Sequence, residues 1–325
     1  MTNVLITSAS RKVSLVRAFQ QALSEEGGGK VIAVDASPLS PALYLADEHY
    51  LVPPSHEPEF LPVMLRLCKQ LNIKLLIPTR DEELPFFAEH KQRFAEIGCL
   101  VMVPDPLTVR ICQNKRLFIE FCHKRGFATP KTYDAKSLPV DIEFPLFIKP
   151  QRGKGGRYAL RVDSKEELEL ALKRVPDPII QEFIEAPEYT MDLFADFSGK
   201  VISVVPRERI RVVGGESFIG KTSQNPALIQ EAVRLATELK LIGHNTIQCF
   251  LDNNKVKFIE VNPRFGGGAS LGFAAGAPTP LFLVKLLKGE KLEPRIGEFE
   301  DNYIMLRYTE DLFLNAGELT SRRFP

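Results

Sequence analysis

The sequence predicts an α/β protein whose C-terminal half becomes α+β. In the first 105 residues short apolar strands alternate with amphipathic helices, later strands come in pairs joined by tight turns, and the 325 residues are 44% hydrophobic. Alternating strands and helices are typical of a parallel sheet, and paired strands are typical of antiparallel sheets. The length corresponds to about two to three domains, which we place at residues 1–105, 106–184 and 185–325.

Composition limits the classes of partner. Lys and Arg total 42 against 41 Asp and Glu, so no bulk charge attracts nucleic acid or an anionic membrane. The N-terminus has no basic leader, and no apolar run reaches about 18 residues. The five cysteines show no C-x-x-C spacing, which fits a reduced compartment. We therefore expect a cytoplasmic protein that binds neither nucleic acid nor membrane.

The first elements resemble the start of a dinucleotide-binding, Rossmann-like fold. An apolar strand at Val4–Ile6 precedes a helix, and the next strand ends in Asp35. The turn Thr7–Lys12 contains none of the glycines of the G-x-G-x-x-G motif, so we do not expect NAD there. Ligands of open parallel sheets bind at the carboxyl ends of strands, and Glu82 and Glu83 follow a predicted strand. These glutamates either contact a substrate or cap the next helix at its positive end.

The middle of the chain carries a basic, glycine-rich loop. A single helix is predicted over Leu107–Arg125, and a strand over Pro145–Pro150 leads into the loop Gln151–Tyr158. Glycine lets the backbone approach a ligand closely, and its N–H groups can then surround phosphate oxygens. No G-K-[ST] opens a helix, so this is not a Walker loop, and by itself the segment fits a surface turn equally well. Two apolar strands follow, Pro178–Ile184 and Glu188–Asp196, which we expect to form an edge segment whose backbone pairs with a purine.

Alternating arginines come next. Arg207, Arg209 and Arg211 are predicted to project from one face of a strand. They are either solvated edge charges or a binding site for phosphate and carboxylate groups. After them, Asn225-Pro226 is predicted to cap and start a helix that runs to Lys240, with Gly243 as its terminator.

The most informative stretch is Lys257–Ser270, K-F-I-E-V-N-P-R-F-G-G-G-A-S. Glu260, Asn262 and Arg264 are spaced by two residues, so strand alternation points them to one face. A predicted hairpin places Gln248 beside Glu260. A hard cation such as Mg²⁺ takes oxygen ligands from the first two, while Arg264 neutralises a phosphoryl group in transfer. By itself the pattern also fits a strand whose polar face lies in water.

Taken in order, these motifs resemble the ATP-grasp superfamily and, across nearly the whole chain, a single half of the large subunit of carbamoyl-phosphate synthetase. The motifs are Asn114-Lys115, Phe147–Pro150 with Arg152–Tyr158, Gln181–Ile184, Gln248 and Glu260–Arg264. The resemblance implies a Rossmann-like domain followed by an ATP-grasp fold of two subdomains. The first subdomain would be a lid with the glycine-rich loop, and the larger one would carry the metal and phosphate site.

The resemblance also implies roles for individual residues. Those that hold ATP would be Lys115 and Lys149 at the phosphates, Gly153, Gly155 and Gly156 in the loop, Glu182, Phe183 and Ile184 at the adenine, and Glu188 near the ribose. Those that bind Mg²⁺ or Mn²⁺ would be Glu260 and Asn262, with Gln248 more peripheral. Arg264 would stabilise the transferring phosphoryl group, and the acyl substrate would be approached by Arg207, Arg209 and Arg211.

These roles predict an ATP-dependent ligase that activates a carboxylate as an acyl phosphate for attack by an amine. Such chemistry needs in-line positioning and charge neutralisation rather than a protein nucleophile, and the sequence shows no Ser/His/Asp or Cys/His constellation. The expected partners are ATP, a small carboxylate, an amine and a second copy of the chain in a homodimer. The alternatives are a kinase-like enzyme that releases carbamoyl phosphate or another acyl phosphate, and a non-catalytic nucleotide-binding regulator.

Overall fold

The N-terminal part is a parallel sheet flanked by helices in the computed structural model, which describes residues 2–135, 137–153, 155–319 and 324. Its elements are β1 (Asn3–Ile6), α1 (Val13–Glu25), β2 (Val31–Asp35), α2 (Pro41–Leu45), β3 (Glu48–Leu51), α3 (Phe60–Gln70), β4 (Ile73–Ile77), α4 (Leu84–Ala95) and β5 (Leu100–Val101). The strand order is β3-β2-β1-β4-β5, and every pair is parallel. The predicted alternating pattern is confirmed, whereas α2 and the half-buried β3 carried too weak an apolar pattern to be predicted.

The turn after β1 is held by a buried carboxylate. Ser8 and Ser10 adopt positive φ angles of 45° and 44°, in the region where glycine is usual. Glu83 accepts hydrogen bonds from the Thr7 hydroxyl at 2.8 Å and the Ser8 hydroxyl at 2.5 Å. Glu83 occupies the N-cap position of α4, at the positive end of the helix as predicted, but its side chain makes no capping hydrogen bond there.

The segment between the first sheet and the second is two helices, α5 (Pro106–Gln113) and α6 (Lys115–Lys124). The prediction of one continuous helix was wrong because Asn114 has extended backbone angles, φ −121° and ψ 108°. Its side-chain oxygen accepts hydrogen bonds from the backbone N–H groups of Arg116 and Leu117, which makes it the N-cap of α6. Lys115 therefore begins a helix.

A small antiparallel sheet forms the lid. Its elements are β6 (Thr132–Tyr133), β7 (Leu146–Pro150), β8 (Leu160–Val162), α7 (Lys165–Arg174) and β9 (Pro178–Glu182). The strand order is β6-β9-β7-β8, and α7 covers a core of its own that contains Leu146, Ile148, Val162, Leu168 and Ile180. This separate core makes the lid a packing unit distinct from the rest of the molecule.

The large sheet is antiparallel throughout. It and its helices comprise β10 (Glu188–Ala195), β11 (Val201–Val213), β12 (Glu216–Thr222), α8 (Pro226–Leu239), β13 (Gly243–Asp252), β14 (Lys255–Asn262), α9 (Ala269–Ala274), α10 (Thr279–Leu287) and β15 (Ile304–Leu306). The strand order is β14-β13-β10-β11-β12-β15. Both β9 and β10 lie inside their sheets, so the prediction that they form an edge was wrong, and only the connector 183–187 lies between the two sheets. The helix α8 ends at Leu239 with Lys240 as its C-cap, at a left-handed φ of 53°, so the predicted end is confirmed to within one residue and Gly243 lies beyond the cap.

The first and last parts of the chain share one hydrophobic core. Val4 and Ile6 of β1 belong to the same buried cluster as Phe265, Phe282 and Leu283. Gly243 is required at this junction because a Cβ there would lie 2.4 Å from the Met102 side chain. The N-terminal sheet is therefore packed against the large sheet. Among the described residues, none of the helices is both long and apolar enough to span a membrane.

Candidate active site

A cavity of about 330 Å³ lies between the lid and the large sheet. It collects residues that are distant in sequence, and every residue predicted to hold ATP lines it: Lys115, Lys149, Gly153, Gly155, Gly156, Glu182, Phe183, Ile184 and Glu188. Gln248, Glu260 and Arg209 also line the cavity. Lys149 on β7 and Glu260 on β14 therefore face the same space, as a nucleotide site between these elements requires.

Two lysines and a carboxylate meet at one end of this cavity. Lys149 is only 8% exposed, and burial lowers its pKa to about 8, against the raising effect of nearby Glu260. The Lys115 Nζ lies 3.6 Å from the Glu260 carboxylate and donates to the Gly153 carbonyl at 3.0 Å. Desolvated cations of this kind bind phosphate oxygens strongly because little water competes with the ligand.

Asn114 fixes the position of the neighbouring Lys115 through hydrogen bonds to α6 and to Gln151. Besides capping α6, its side-chain oxygen accepts a hydrogen bond from the Gln151 amide at 2.8 Å. The Lys115 backbone N–H donates to the Gln151 carbonyl at 3.2 Å. These two hydrogen bonds join the start of α6 to the residue after β7. They therefore fix the positions of Lys115 and Lys149 relative to each other.

The candidate metal ligands lie together on two paired strands. Gln248 on β13 is directly opposite Glu260 on β14, as predicted. The Asn262 amide donates to Glu260 at 3.0 Å, so these two side chains share a face. Within the described residues there is no cluster of three or more His, Cys, Asp or Glu side chains suited to a metal ion. The donor set of one carboxylate and amide oxygens fits a hard cation such as Mg²⁺ that takes its remaining ligands from phosphate and water.

The cavity also has apolar walls that were not predicted from the sequence. They are formed by Phe147, Phe250 and Ile259. Phe147 lies two residues before Lys149 on β7, so strand alternation was a usable signal for it. Ile259 reaches the cavity because the β13–β14 register shifts between Gln248 and Cys249, and spacing alone does not predict such a bulge.

Glu182 is already engaged by other residues of the protein. Its carboxylate accepts hydrogen bonds from the Lys257 ammonium and the Lys131 backbone N–H, both at 3.0 Å. Its side chain therefore stabilises the hinge between lid and large sheet. The contact available to a ligand there comes from the backbone of the connector that contains Phe183 and Ile184.

Glu188 and Arg209 form one side of the cavity. The Arg209 Nε lies 3.0 Å from the Glu188 carboxylate, and its two terminal nitrogens donate to the Thr190 hydroxyl at 3.1 Å and the Gly215 carbonyl at 3.0 Å. Burial raises the pKa of Glu188, although Arg209 opposes this effect. Arg209 thus contacts several parts of the large sheet at once.

The other two arginines of β11 do not line the cavity. Arg207 is 1% exposed and donates two hydrogen bonds to Asp192, at 2.6 and 2.9 Å. Burial alone would raise the pKa of Asp192, but Arg207 and His244 bring it to about 2. Arg211 is exposed because the β11–β12 register shifts between Arg209 and Arg211. Arg207 and Arg209 contact alternate residues of β10, Asp192 and Thr190, and therefore share a face as predicted, whereas the prediction was wrong for Arg211.

Arg264 lies beyond the end of β14 and connects to the N-terminal sheet. Its guanidinium donates two hydrogen bonds of 2.6 Å to the Asp81 carboxylate, which follows β4. The pKa of Arg264 is raised: burial opposes this, but Asp81 outweighs it. Because β14 ends at Asn262, the prediction that Arg264 continues the strand was wrong.

Several charged residues lie near Arg264 that no sequence motif identified as part of a site. Lys12 has a lowered pKa through burial and through the neighbouring Arg264. Arg307 donates to the Glu216 carboxylate at 3.0 Å and also to the Gly267 carbonyl. A Cβ on Gly267 would lie 2.6 Å from Glu216, which explains the glycine there. These residues come from four distant segments, so no local spacing identifies them.

Comparisons with known proteins agree with this arrangement. Residues 4–102 match the model of the PylC-like N-terminal domain, and residues 112–268 match the ATP-grasp domain. The chain is 28% identical over 196 residues to the carbamoyl phosphate synthase large chain of Campylobacter jejuni, covering 53% of this chain and 18% of that protein. It is 26% identical to the 3-methyl-D-ornithine–L-lysine ligase of Methanosarcina barkeri, covering 75% of this chain and 62% of that protein. The chain thus spans less than two thirds of each relative.

A solved structure shows the same fold. The biotin carboxylase domain dimer of Hydrogenobacter thermophilus 2-oxoglutarate carboxylase, in complex with MgADP, ADP and bicarbonate, is 18% identical with a TM-score of 0.72. The alignment covers 93% of this chain and 73% of that one. The predicted fold class and the resemblance drawn from ordered motifs are both confirmed, and the chain belongs to the ATP-grasp superfamily.

Proposed function

We propose that the protein is an ATP-dependent ligase that joins a carboxylate to an amine through an acyl phosphate. The observation that carries the proposal is the meeting of Lys115, Lys149 and Glu260 in a cavity that also has apolar walls. The charged groups suit a triphosphate and its divalent ion, and the apolar walls suit a flat base. The matched ATP-grasp domain supports this interpretation.

The chemistry follows from charge neutralisation. A carboxylate oxygen attacks the γ-phosphorus of ATP, the bond to the β-phosphate oxygen breaks, and ADP leaves with the electron pair. The amine then attacks the acyl carbon, loses a proton and expels phosphate. In this proposal Lys115 and Lys149 neutralise the phosphate oxygens, and a buried position makes this more effective than in water. Mg²⁺ or Mn²⁺ bound by Glu260 and Asn262, with Gln248 more peripheral, would neutralise further phosphate charge.

The arginines divide into different roles. We propose that Arg264, held by Asp81, lies close to the transferred phosphoryl group. Arg209 faces the nucleotide beside Glu188. Because Arg207 is buried and donates two hydrogen bonds to Asp192, we propose that it supports the site without touching the acyl substrate.

Amino acids are the substrates we favour. The relative from Methanosarcina barkeri joins two amino acids according to its name. Lys12 and Arg264 with Asp81 bring charges of both signs to the junction of the N-terminal and large sheets, which suits a molecule carrying both an ammonium and a carboxylate.

We also propose a homodimer. Large apolar side chains on and after β15 are exposed, including Leu306 at 70% and Phe313 at 86%. Contiguous exposed apolar surface is typical of an interface. A monomeric mass by light scattering at micromolar concentration would rule out this association.

The test is a panel of carboxylates and amines, with amino acids in both roles, scored by ADP and phosphate release with MgATP. We expect turnover with a specific pair, its abolition by Glu260→Ala, and its retention by Cys249→Ala, since the buried Cys249 thiol is no nucleophile. Acyl phosphate formed at full rate without amine would instead establish the kinase-like alternative. ATP binding without turnover on any pair would favour the regulator.

A further inference from the structure

Two glycine turns from different sheets meet above the cavity. Gly155 lies in the loop between β7 and β8, and Gly214 and Gly215 form the turn between β11 and β12. A Cβ placed on Gly215 would lie 2.7 Å from the Gly155 Cα and 3.3 Å from its carbonyl carbon. Backbone atoms cannot yield as a flexible side chain does, so the two turns touch only because position 215 lacks a side chain.

A single guanidinium joins this contact to the cavity wall. Arg209 donates to the Gly215 carbonyl at 3.0 Å and lies 3.0 Å from the Glu188 carboxylate. Its third contact, to the Thr190 hydroxyl at 3.1 Å, fixes it against the interior strand β10. Two hydrogen bonds and one ion pair from a rigid planar group hold the turn at a set distance from Glu188.

The loop is held on its other side by Lys115. The Lys115 ammonium donates to the Gly153 carbonyl at 3.0 Å while lying 3.6 Å from Glu260. The glycine-rich loop therefore has one contact near the candidate phosphate site and another at the β11–β12 turn. Both contacts lead to residues that line the same cavity.

We propose that Gly215 and Arg209 are positioning residues that hold the glycine-rich loop closed over a bound nucleotide. The β11–β12 turn is the surface on which the loop closes, and Arg209 couples that surface to the nucleotide contact at Glu188. The inference rests on the proposed nucleotide site, and it adds a specific closing surface to it. It assigns Arg209 to loop positioning instead of contact with the acyl substrate.

A matched pair of variants isolates the contact. Gly214 and Gly215 both have left-handed φ angles, +57° and +80°, so Gly214→Ala and Gly215→Ala carry the same kind of backbone strain. A Cβ at Gly214 meets nothing within 4 Å, whereas one at Gly215 meets the Gly155 backbone. Only Gly215→Ala should therefore keep the loop from closing.

Limited trypsinolysis reports on closure without requiring turnover. Arg152 and Arg157 are exposed cleavage sites in the loop, and mass spectrometry identifies cuts after them. With the non-hydrolysable analogue AMP-PNP and Mg²⁺ at saturation, we expect wild type and Gly214→Ala to be protected, and Gly215→Ala to be cut roughly tenfold faster, as an overpacked contact predicts. Thermal unfolding of all three proteins checks that they are folded.

A second variant tests the role of Arg209. Arg209→Lys keeps the charge but cannot reach Thr190, Glu188 and Gly215 together. We expect it to lose loop protection like Gly215→Ala, and to raise KM for ATP more than it lowers kcat. Equal protection in Gly214→Ala and Gly215→Ala, whether high or low, would overturn the inference, as would full protection in Arg209→Lys.

The same measurement separates this inference from the proposed function. If wild type bound no AMP-PNP by calorimetry, the nucleotide site would fail. The loop contact would still be tested by cleavage without nucleotide, where Gly215→Ala should be cut faster than Gly214→Ala. If nucleotide bound but the two variants behaved alike, the closing surface would fail and the nucleotide site would stand.

Discussion

Lys149 shows how burial sets the chemistry of a single residue. Removal from water lowers its pKa to about 8, so its charge is only partly present in mildly alkaline solution. A phosphate group beside it would raise that pKa again, because an anion favours the protonated form. Binding of a nucleotide would then take up a proton whenever the pH exceeds the pKa of the free protein.

This predicts a pH-dependent affinity. Between about pH 8.5 and 10 we expect the Kd for AMP-PNP with Mg²⁺ to rise toward tenfold per pH unit, since one proton is bound with the ligand. Calorimetry across this range measures the slope. Lys149→Met should bind weakly with a flat profile, and Lys115→Met should bind weakly but keep the slope. A slope that survived in Lys149→Met would assign the proton to another group.

At the scale of elements, the helix caps determine where side chains point. The run of residues from Leu107 to Arg125 has helical periodicity throughout, so periodicity alone predicted one helix. The break at Asn114 depends on a side chain that bonds both α6 and Gln151, 37 positions away. Local propensity carries no information about such a partner, whereas the caps of α8 by Asn225 and of α7 by Ser164 are visible because their bonds are local.

The N-caps Asn114 and Ser164 have similar chemistry, but we expect their removal to affect nucleotide binding differently. Asn114→Ala should cost about 1–2 kcal/mol of stability and raise KM for ATP several-fold, because the cap also positions Lys115. Ser164→Ala on α7 should cost up to about 1 kcal/mol and leave KM unchanged. Chemical denaturation and ATP kinetics on both variants measure the two effects. Equal KM values in both would mean that Asn114 acts on stability alone.

At the scale of the whole molecule, the hydrophobic cores do not coincide with the three segments into which we divide the chain. We propose the division at residues 105/106 and 184/185 for the chain, yet the N-terminal sheet shares its core with Phe265 and Phe282 of the large part. The lid has its own core around Leu146 and Ile180. The sequence predicted most of the strand-and-helix order and the residues that line the cavity under the lid, since each motif is local. It did not predict the Arg264–Asp81 pair, which joins positions 183 apart.

Native-state hydrogen exchange should reveal this organisation. We expect amides of β1 and of β10 to exchange with the same free energy, as one unit, because Val4 and Ile6 share a core with Phe194. Amides of β7 and β9 should exchange at lower free energy and become protected when AMP-PNP and Mg²⁺ bind. Protection of β1 that persists after the large sheet has opened would contradict the shared core.

Glu83 gives the N-terminal sheet a further property. Its carboxylate occupies the place beside Thr7 and Ser8 where a dinucleotide fold would receive its pyrophosphate. Burial raises the pKa of Glu83, although the hydrogen bonds from Ser8 and Thr7 oppose this effect. Any ligand that entered this turn would have to compete with a carboxyl group that already engages both hydroxyls, so the protein fills the mouth of its own first sheet.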